Sequence, residues 1–428
     1  MSSETKITRR KYVAIAGGAV VAVAAGGAAY YLTAPKAAGG KPIRLGAPLP
    51  ITGSRAGLGG DARDAIYLAV EEINKAGGIM GSPIEVILDD IENLEAGKVS
   101  SVFVKLMTRD KVDFLIASVA NPSCAEFSAV QENKTPYLTA GFINQAEKLI
   151  TPNPDAYSYI FLALPSYSLY WYVFADYVTK LEKEGKYKPI NHKFCIIKFA
   201  QEYSQYIADG MRDYFKKLGW ELTFDELLPS NIVNDWSSVL AKIRSNPPAI
   251  IISNMNIGSS DALFIKQFNE DPTPSLVYQQ ASPTYPEYLD MAGTAGNGVF
   301  NVYAIRKLAP DNPYIQKFEK RWGRKPSPYG IICYDEVYIM KQAMERAGDS
   351  FNKAAIAKAL LQTDYNGVMG HYVMDTATHL VKGGGKEIPF PCFQLWDKVN
   401  YMLYPPEVAE REFAYPPWYQ KGLAKYGK

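Results

Sequence analysis

The sequence predicts an α/β fold built as two doubly wound lobes, and three observations predict it. Short apolar runs alternate with amphipathic stretches of helical length, which argues parallel strands joined by helices. The alternation restarts after "YIFLALPSYS" (159–168), as a second lobe requires. The length, 428 residues with 47% hydrophobic and 21% charged, suits two globular domains.

The first series opens with the strand "IRLGAPL" (43–49). "DARDAIYLAVEEINKAGG" then sets Ala62, Ala65, Ile66, Ala69, Val70 and Ile73 on one helical face, with Asp61 as N-cap and Gly77 or Gly78 as the stop. "IEVILDD" reads as a strand, "AGKVSSVFVKLMTRD" as a helix, "VDFLIAS" as a strand, "PSCAEFSAVQEN" as a helix and "TPYLTAG" as a strand. In the second series "LYWYVFADYVTKLEKEG" is helical, with Tyr170, Phe174, Tyr177, Val178 and Leu181 at core spacing. Strands "KFCIIKFA", "WELTFDE", "PAIIISN" and "PSLVYQQ" follow, separated by three helices. Beyond "GVFNVYAI" come three helical stretches, with "YGIICYDEVYIMKQAMERAGD" and "NKAAIAKALLQT" the clearest, then β-like "GHYVMD" and "PFPCFQLWD". The proline-bearing tail after Tyr401 is expected to wrap over the surface rather than enter a core.

Residues 1–42 read as something other than fold. Lys6, Arg9, Arg10 and Lys11 precede 24 uncharged residues rich in Ala, Val and Gly, the layout of an export signal. "TRRKYVA" resembles the twin-arginine motif, with Tyr12 where that pattern usually has Phe. The run also exceeds the ~20 residues that span a bilayer, so a retained membrane anchor is the alternative. Either way the basic flank keeps the N-terminus inside and the body outside.

A net charge of +2 without a basic block excludes a nucleic-acid surface. Cys124, Cys195, Cys333 and Cys392 stand far apart, so buried thiols are expected, and three scattered His support neither a metal nor a His-based catalytic centre. No cofactor is expected. "GLGGDA" (57–62) has dinucleotide-turn spacing, but its first Gly does not follow the strand directly: Pro50 and Gly53 intervene. The loop reads instead as a lip that lets backbone approach a ligand, with Leu58 as an apolar contact.

With these residues in view, "IRLGAPLPITGSRAGLGGDARDAIYLAVEEINKAGGIMGSPIEVILDD" resembles the opening of the solute-binding proteins of branched-chain amino acid ABC importers. A first strand, a T/S-G-x-x-A-x-x-G loop, a helix ending in N-x-x-G-G-I-x-G and a strand ending in acids come in that order. "DWSSVLAKIRSNPPAIIIS", "YDEVYIMKQAMERAG", "YNGVMGHYVMD" and "LYPPEVA" extend the likeness to nearly everything after residue 42. The resemblance implies the type I periplasmic-binding fold, two lobes joined by three hinge crossovers with solute trapped by closure. It places lobe 1 at 43–164 plus 303–368, lobe 2 at 165–302 plus 369–407 and a tail at 408–428. The implied partners are a small solute and the permease and ATPase subunits of an ABC importer, with the binding protein monomeric and not an enzyme.

Ligands of open α/β sheets sit beyond the carboxyl ends of strands, so the candidate residues follow each strand. After "DFLIAS" come Asn121 and Ser123, and the family places a carboxylate-binding Ser there; Ser123 also reads as a helix cap. After "TPYLTA" come Gly141, Phe142 and Asn144, where the family's usual Thr is absent. In lobe 2, Tyr203 stands at the family's aromatic wall, Asn256 follows "AIIISN", and Gln279 and Gln280 stand near the acid that pairs with an amino acid's ammonium. A desolvated ammonium without a carboxylate costs several kcal/mol, so an amide, urea-like or aromatic solute competes with an amino acid. Asp261 or Glu287 restores the charge if the register slips. A membrane-anchored sensor is the remaining alternative.

Overall fold

The computed structural model describes residues 40–427 apart from 54, 230–231, 304–307, 309–310, 327 and 385–386, so the signal-like segment lies almost wholly outside the described residues. The chain divides into two compact units. One comprises Met1–Phe142, Asp155–Phe161 and Gln316–Thr363; the other comprises Ile143–Pro154, Leu162–Ile315 and Asp364–Lys428.

In the first unit β1 (Ile43–Leu49), β2 (Ile84–Asp90), β3 (Phe114–Ala117), β4 (Tyr137–Thr139) and β5 (Ile160–Leu162) form a sheet in the order β2-β1-β3-β4-β5 among the described residues. Leu45 lies between Val86 and Phe114 in parallel register. Helices cover both faces of such a sheet, which is why its strands read as unbroken apolar runs. The first of these helices, α1 (Ala56–Lys75), buries the six residues assigned to its inner face. It ends in a Schellman turn: Gly78 N–H donates to Ile73 O at 2.9 Å and Gly77 N–H to Asn74 O at 3.1 Å, with Gly77 at φ 103°.

The start of α1 differs from the sequence reading. The helix begins at Ala56, so the glycines at 57, 59 and 60 and Leu58 belong to its first turns and not to a loop. Gly59 is required there because a Cβ would sit 2.0 Å from the Pro50 carbonyl oxygen. Asp61 does not cap the helix. Its carboxylate meets Arg324, which also binds Asp64 at 2.6 Å. α2 (Ala96–Thr108) and α3 (Phe127–Glu132) complete the local windings, and α10 (Pro313–Trp322), α11 (Pro328–Ala347) and α12 (Lys353–Leu360) return from late in the chain. They complement an acidic row on α1. Arg321 binds Glu71 at 2.9 Å, Lys317 binds Glu72 at 2.9 Å, and the Tyr334 and Tyr338 hydroxyls donate to Glu72 at 2.6 and 2.9 Å.

The second unit carries β6 (Lys193–Phe199), β7 (Glu221–Leu228), β8 (Ile250–Asn254), β9 (Leu276–Gln279), β10 (Phe300–Val302), β13 (Cys392–Trp396) and β14 (Val399–Tyr404) in the order β14-β13-β10-β9-β8-β6-β7. β6 to β10 run parallel; β13 is antiparallel to β10 and β14. β11 (Asp364–Asn366) and β12 (His371–Val373) make a separate ribbon. The helices are α4 (Ile143–Ile150), α5 (Leu169–Lys183), α6 (Glu202–Lys217), α7 (Ser237–Ser245), α8 (Gly258–Glu270), α9 (Pro286–Ala292) and α13 (Tyr419–Tyr426). The five core-spaced side chains of α5 are all buried.

The tail enters the core, contrary to the expectation from its prolines. Trp418 is buried edge-on to Phe268 at 5.8 Å, and its Nε1 donates to Ser275 O at 3.0 Å. Gly422 lets α13 lie on the backbone of Thr273, since a Cβ would approach that carbonyl carbon to 2.4 Å. An indole brings enough apolar area to outweigh the local bias of its neighbours toward the surface. All four cysteines are buried and none is joined to another by a disulfide.

Candidate functional site

The carboxyl ends of the parallel strands carry the chemistry in each unit, and both edges are held by costly backbone. Leu94, Cys124 and Phe142 in the first unit, and Asn256 and Ala281 in the second, adopt positive φ between 48° and 67°. Asn tolerates that region; for the others it costs roughly 1–2 kcal/mol each. Strain of this kind persists only where surrounding contacts enforce it.

In the first unit Asp90 clasps the loops after β1 and β2. Its carboxylate accepts from Ile51 N at 2.9 Å, Thr52 Oγ1 at 2.6 Å and Glu92 N at 2.8 Å. Burial pushes this carboxyl up, but these hydrogen bonds prevail and hold it below its ordinary range. Asp90 thus serves the loops, while its neighbour Asp89 pairs with Lys105 of α2.

After β3, Asn121 is buried and fully engaged. Its Nδ2 donates to Leu94 O at 2.7 Å and its Oδ1 accepts from Ser123 N at 2.9 Å and from Ser123 Oγ. Ser123 is exposed and caps no helix: α3 starts only at Phe127, and Asn121 makes the turn through its own side chain. Ser118, the first residue after β3, has a buried hydroxyl with no hydrogen-bond partner among the described residues. Gly141 passes so close to the β3 loop that a Cβ would lie 2.7 Å from Val119 Cα, and half-buried Phe142 follows at φ 48°. Leu58 is half-buried on the first turn of α1. Beneath this edge, burial pushes the Glu126 carboxyl up to about 7, with the Tyr137 hydroxyl donating to it at 3.4 Å. Glu336 on α11 is fully buried and also raised by burial.

In the second unit Asp261 is a tie and not a free charge. Fully buried on the first turn of α8, it accepts from Ser253 Oγ at 2.7 Å and Ser282 Oγ at 2.5 Å, which joins the end of β8 to the loop after β9. Burial lifts its carboxyl to about 7. Gln279 is buried too: Nε2 donates to Asp261 O at 2.8 Å and Oε1 accepts from the Tyr288 hydroxyl at 2.6 Å. Gln280, also buried, accepts from the Tyr278 hydroxyl and donates to Tyr203 Oη at 3.3 Å and Val302 O at 3.4 Å. Tyr203 is half-buried, edge-on to Tyr167 at 5.8 Å. Asn256 is half-buried and its Oδ1 accepts from the Tyr285 hydroxyl at 2.7 Å. Asn144 is buried on α4, and Glu287 is exposed on α9.

Apart from Asn144, which follows β4 in sequence but lies on α4 of the second unit, each unit brings its candidates to one sheet edge. Gln279, Gln280 and Asn121 spend their amides inside the protein, whereas Tyr203, Asn256, Ser123 and Phe142 keep accessible surface. Tyr285 and Tyr167 escaped the sequence reading; an aromatic just before Pro286 was the available signal for Tyr285. A separate groove of about 690 Å³ follows the outer face of α6 past Trp171, Tyr206 and Tyr214 rather than the strand ends. Its acids are already paired, Glu202 with Lys148 and Asp209 with Lys198. Among the described residues no three His, Cys, Asp or Glu side chains converge as a metal site.

Comparison with known proteins agrees with this architecture. A family model described as periplasmic binding protein matches residues 42–384. A Leu/Ile/Val-binding protein homolog 3 of Brucella melitensis is 25% identical over 364 residues, covering 83% of this chain and 91% of that protein. The crystal structure of a putative branched-chain amino acid ABC transporter from Silicibacter pomeroyi is 27% identical, covers 88% of this chain and 100% of the other, and superposes with a TM-score of 0.84. A solute-binding protein from R. palustris in complex with benzoate shares the fold, with a TM-score of 0.63 at 18% identity, covering 85% of this chain and 95% of the other. The proteins of this family bind solutes outside the cytoplasm for ABC transporters and are not enzymes, and the chain belongs to this family of periplasmic binding proteins.

Proposed function

We propose that the chain captures a small polar solute, an amino acid in the first instance, and delivers it to the permease and ATPase subunits of an ABC importer. The observation that carries the reading is the construction of the two carboxyl edges: strained loops fixed by buried side chains, with phenol, amide and hydroxyl groups left at the surface. Leu58, Ser123, Gly141, Phe142, Asn144, Tyr203 and Asn256 would contact the solute. Asn121, Gln279 and Gln280 would hold those groups in place. The protein acts as a monomer, exported through a twin-arginine-type signal or kept at the membrane by the same segment.

A second reading, an amide, urea-like or aromatic solute, is favoured by one observation. At the position expected to face an ammonium stands Gln280, and nearby Asp261 is sealed by two serine hydroxyls. The neighbour with benzoate bound supports the same alternative. A thermal-shift panel of amino acids, amides, urea, short peptides and aromatic acids separates the readings. A ligand at about 100 times its Kd adds roughly 2.7 kcal/mol to stability. Failure of every solute to shift the transition, at several pH values, would overturn the binding role itself.

A further inference from the structure

We propose that the groove along the outer face of α6 is a second binding site, for an uncharged oligosaccharide, distinct from the strand edges that take the solute. Neither its walls nor its chemistry depends on which solute those edges hold.

All the residues that line the groove belong to the second unit. They include Glu202 and Lys217, the first and last residues of α6, so the groove follows the whole of a 16-residue helix, about 24 Å. Its volume of about 690 Å³ falls within the roughly 300–1,000 Å³ of small-molecule sites. The floor is aromatic. Gly210 stands in the interior of α6, where glycine is disfavoured, because the Trp171 indole lies flat on its backbone: a Cβ there would meet Nε1 at 2.1 Å and both Cδ1 and Cε2 at 2.2 Å. Three adjacent ring atoms at nearly one distance mean that the five-membered ring is met face-on. The indole Nε1 donates to Tyr206 O at 3.2 Å, and the Tyr206 ring packs against the indole at 5.1 Å. Tyr214 is fixed by its hydroxyl, which donates to Asp176 at 2.7 Å. All three rings are held by the protein itself, yet each is only half-buried and keeps surface toward the groove, so little ordering is left for a ligand to supply.

Charge selects the class of ligand. Every acid on the rim has a basic partner: Glu202 binds Lys148 at 2.8 Å, Asp209 binds Lys198 and Arg212 at 2.7 Å each, and Asp213 binds Arg212 at 3.0 Å. A cation would have to displace these partners, and an anion would meet three carboxylates. Hydrogen bonding is what the rim offers. The carboxylates keep spare lone pairs, and the side chains of Gln205 and Lys217 have no hydrogen-bond or ionic partner among the described residues. Floor and rim together match an uncharged ligand with a flat apolar face and many hydroxyls. A pyranose has both: the slightly positive C–H hydrogens of its flat face rest on the negative face of an aromatic ring, while the hydroxyls around its edge reach the rim. A neutral arene would use the floor and leave the rim idle. The length of the groove suits a row of sugar rings rather than one.

Calorimetric titration of the intact protein with maltotetraose, cellotetraose and tetra-N-acetylchitotetraose tests the assignment, with spermidine, trigalacturonate and benzyl alcohol as cation, anion and arene. At least one neutral tetrasaccharide should bind below millimolar concentration and more tightly than its monosaccharide. Trp171→Ala should weaken that sugar about tenfold or more, as loss of an aromatic anchor does. Gln205→Ala, a change on the rim, should weaken it several-fold at an unchanged melting temperature and decides the matter if Trp171→Ala fails to fold. Both variants should leave the thermal shift produced by the solute of the strand edges as it is. Failure of all three tetrasaccharides to bind, tighter binding of the cation, anion or arene, or sugar binding indifferent to both variants would overturn the proposal. None of these outcomes touches the solute-binding role, which stands or falls on the thermal-shift panel.

Discussion

Glu126 and Asp261 show how two buried carboxyls can be held by opposite means. Asp261 takes two serine hydroxyls, while Glu126 has backbone N–H groups and a long phenol contact on one side and, among the described residues, an oxygen with no hydrogen-bond partner. Burial raises both to about 7. A carboxyl whose folded pKa lies above its ordinary value binds protons more tightly in the folded state. Its contribution is therefore fully present below about pH 4.5 and is lost as pH rises toward 7. For Glu126 that loss is roughly 3 kcal/mol. Glu126→Gln should flatten this part of the stability profile and raise the urea midpoint at pH 8 while changing it little at pH 4; an unchanged profile would show that the carboxyl is solvated. Such roles were not legible in sequence. "AEF" and "SSDAL" mark helices, and only the folded chain shows which acids are sealed and by what.

Elements were legible wherever one face repeats. The inner stripes of α1 and α5 follow from apolar spacing alone, and the Gly77–Gly78 stop is a local signal that the structure uses in full. The start of α1 was misread because its glycines look like a loop, whereas one of them, Gly59, lets the helix pass under the Pro50 carbonyl. α13 was misread for a related reason: prolines signal a surface path, yet one indole decides where the segment docks. Trp418→Ala should cost about 3–5 kcal/mol, as for other buried large aromatics. The fall should appear in the guanidinium midpoint, and a loss under 1 kcal/mol would mean that α13 is peripheral to the core.

On the scale of the whole molecule, neither unit is a continuous stretch of chain. The acids of α1 find their partners about 250 residues later, in α10, α11 and the link between them, a distance across which no local pattern carries information. A fragment spanning residues 40–142 keeps four strands and three helices but leaves Asp61, Asp64, Glu71 and Glu72 without those partners. It should show no cooperative thermal transition by circular dichroism, and a sharp one would prove the late helices dispensable. Overall topology was legible because doubly wound alternation is periodic; the edges were legible only as positions, since which amide faces inward depends on neighbours remote in sequence. The placement of Trp418 also has a temporal side. Phe264 and Phe268 leave the ribosome some 150 residues before the indole that packs among them, an interval of roughly eight to thirty seconds at about 5–20 residues per second. Throughout synthesis, then, the nascent second unit holds an unfinished core, and a chaperone that recognises exposed aromatics has that interval in which to engage it.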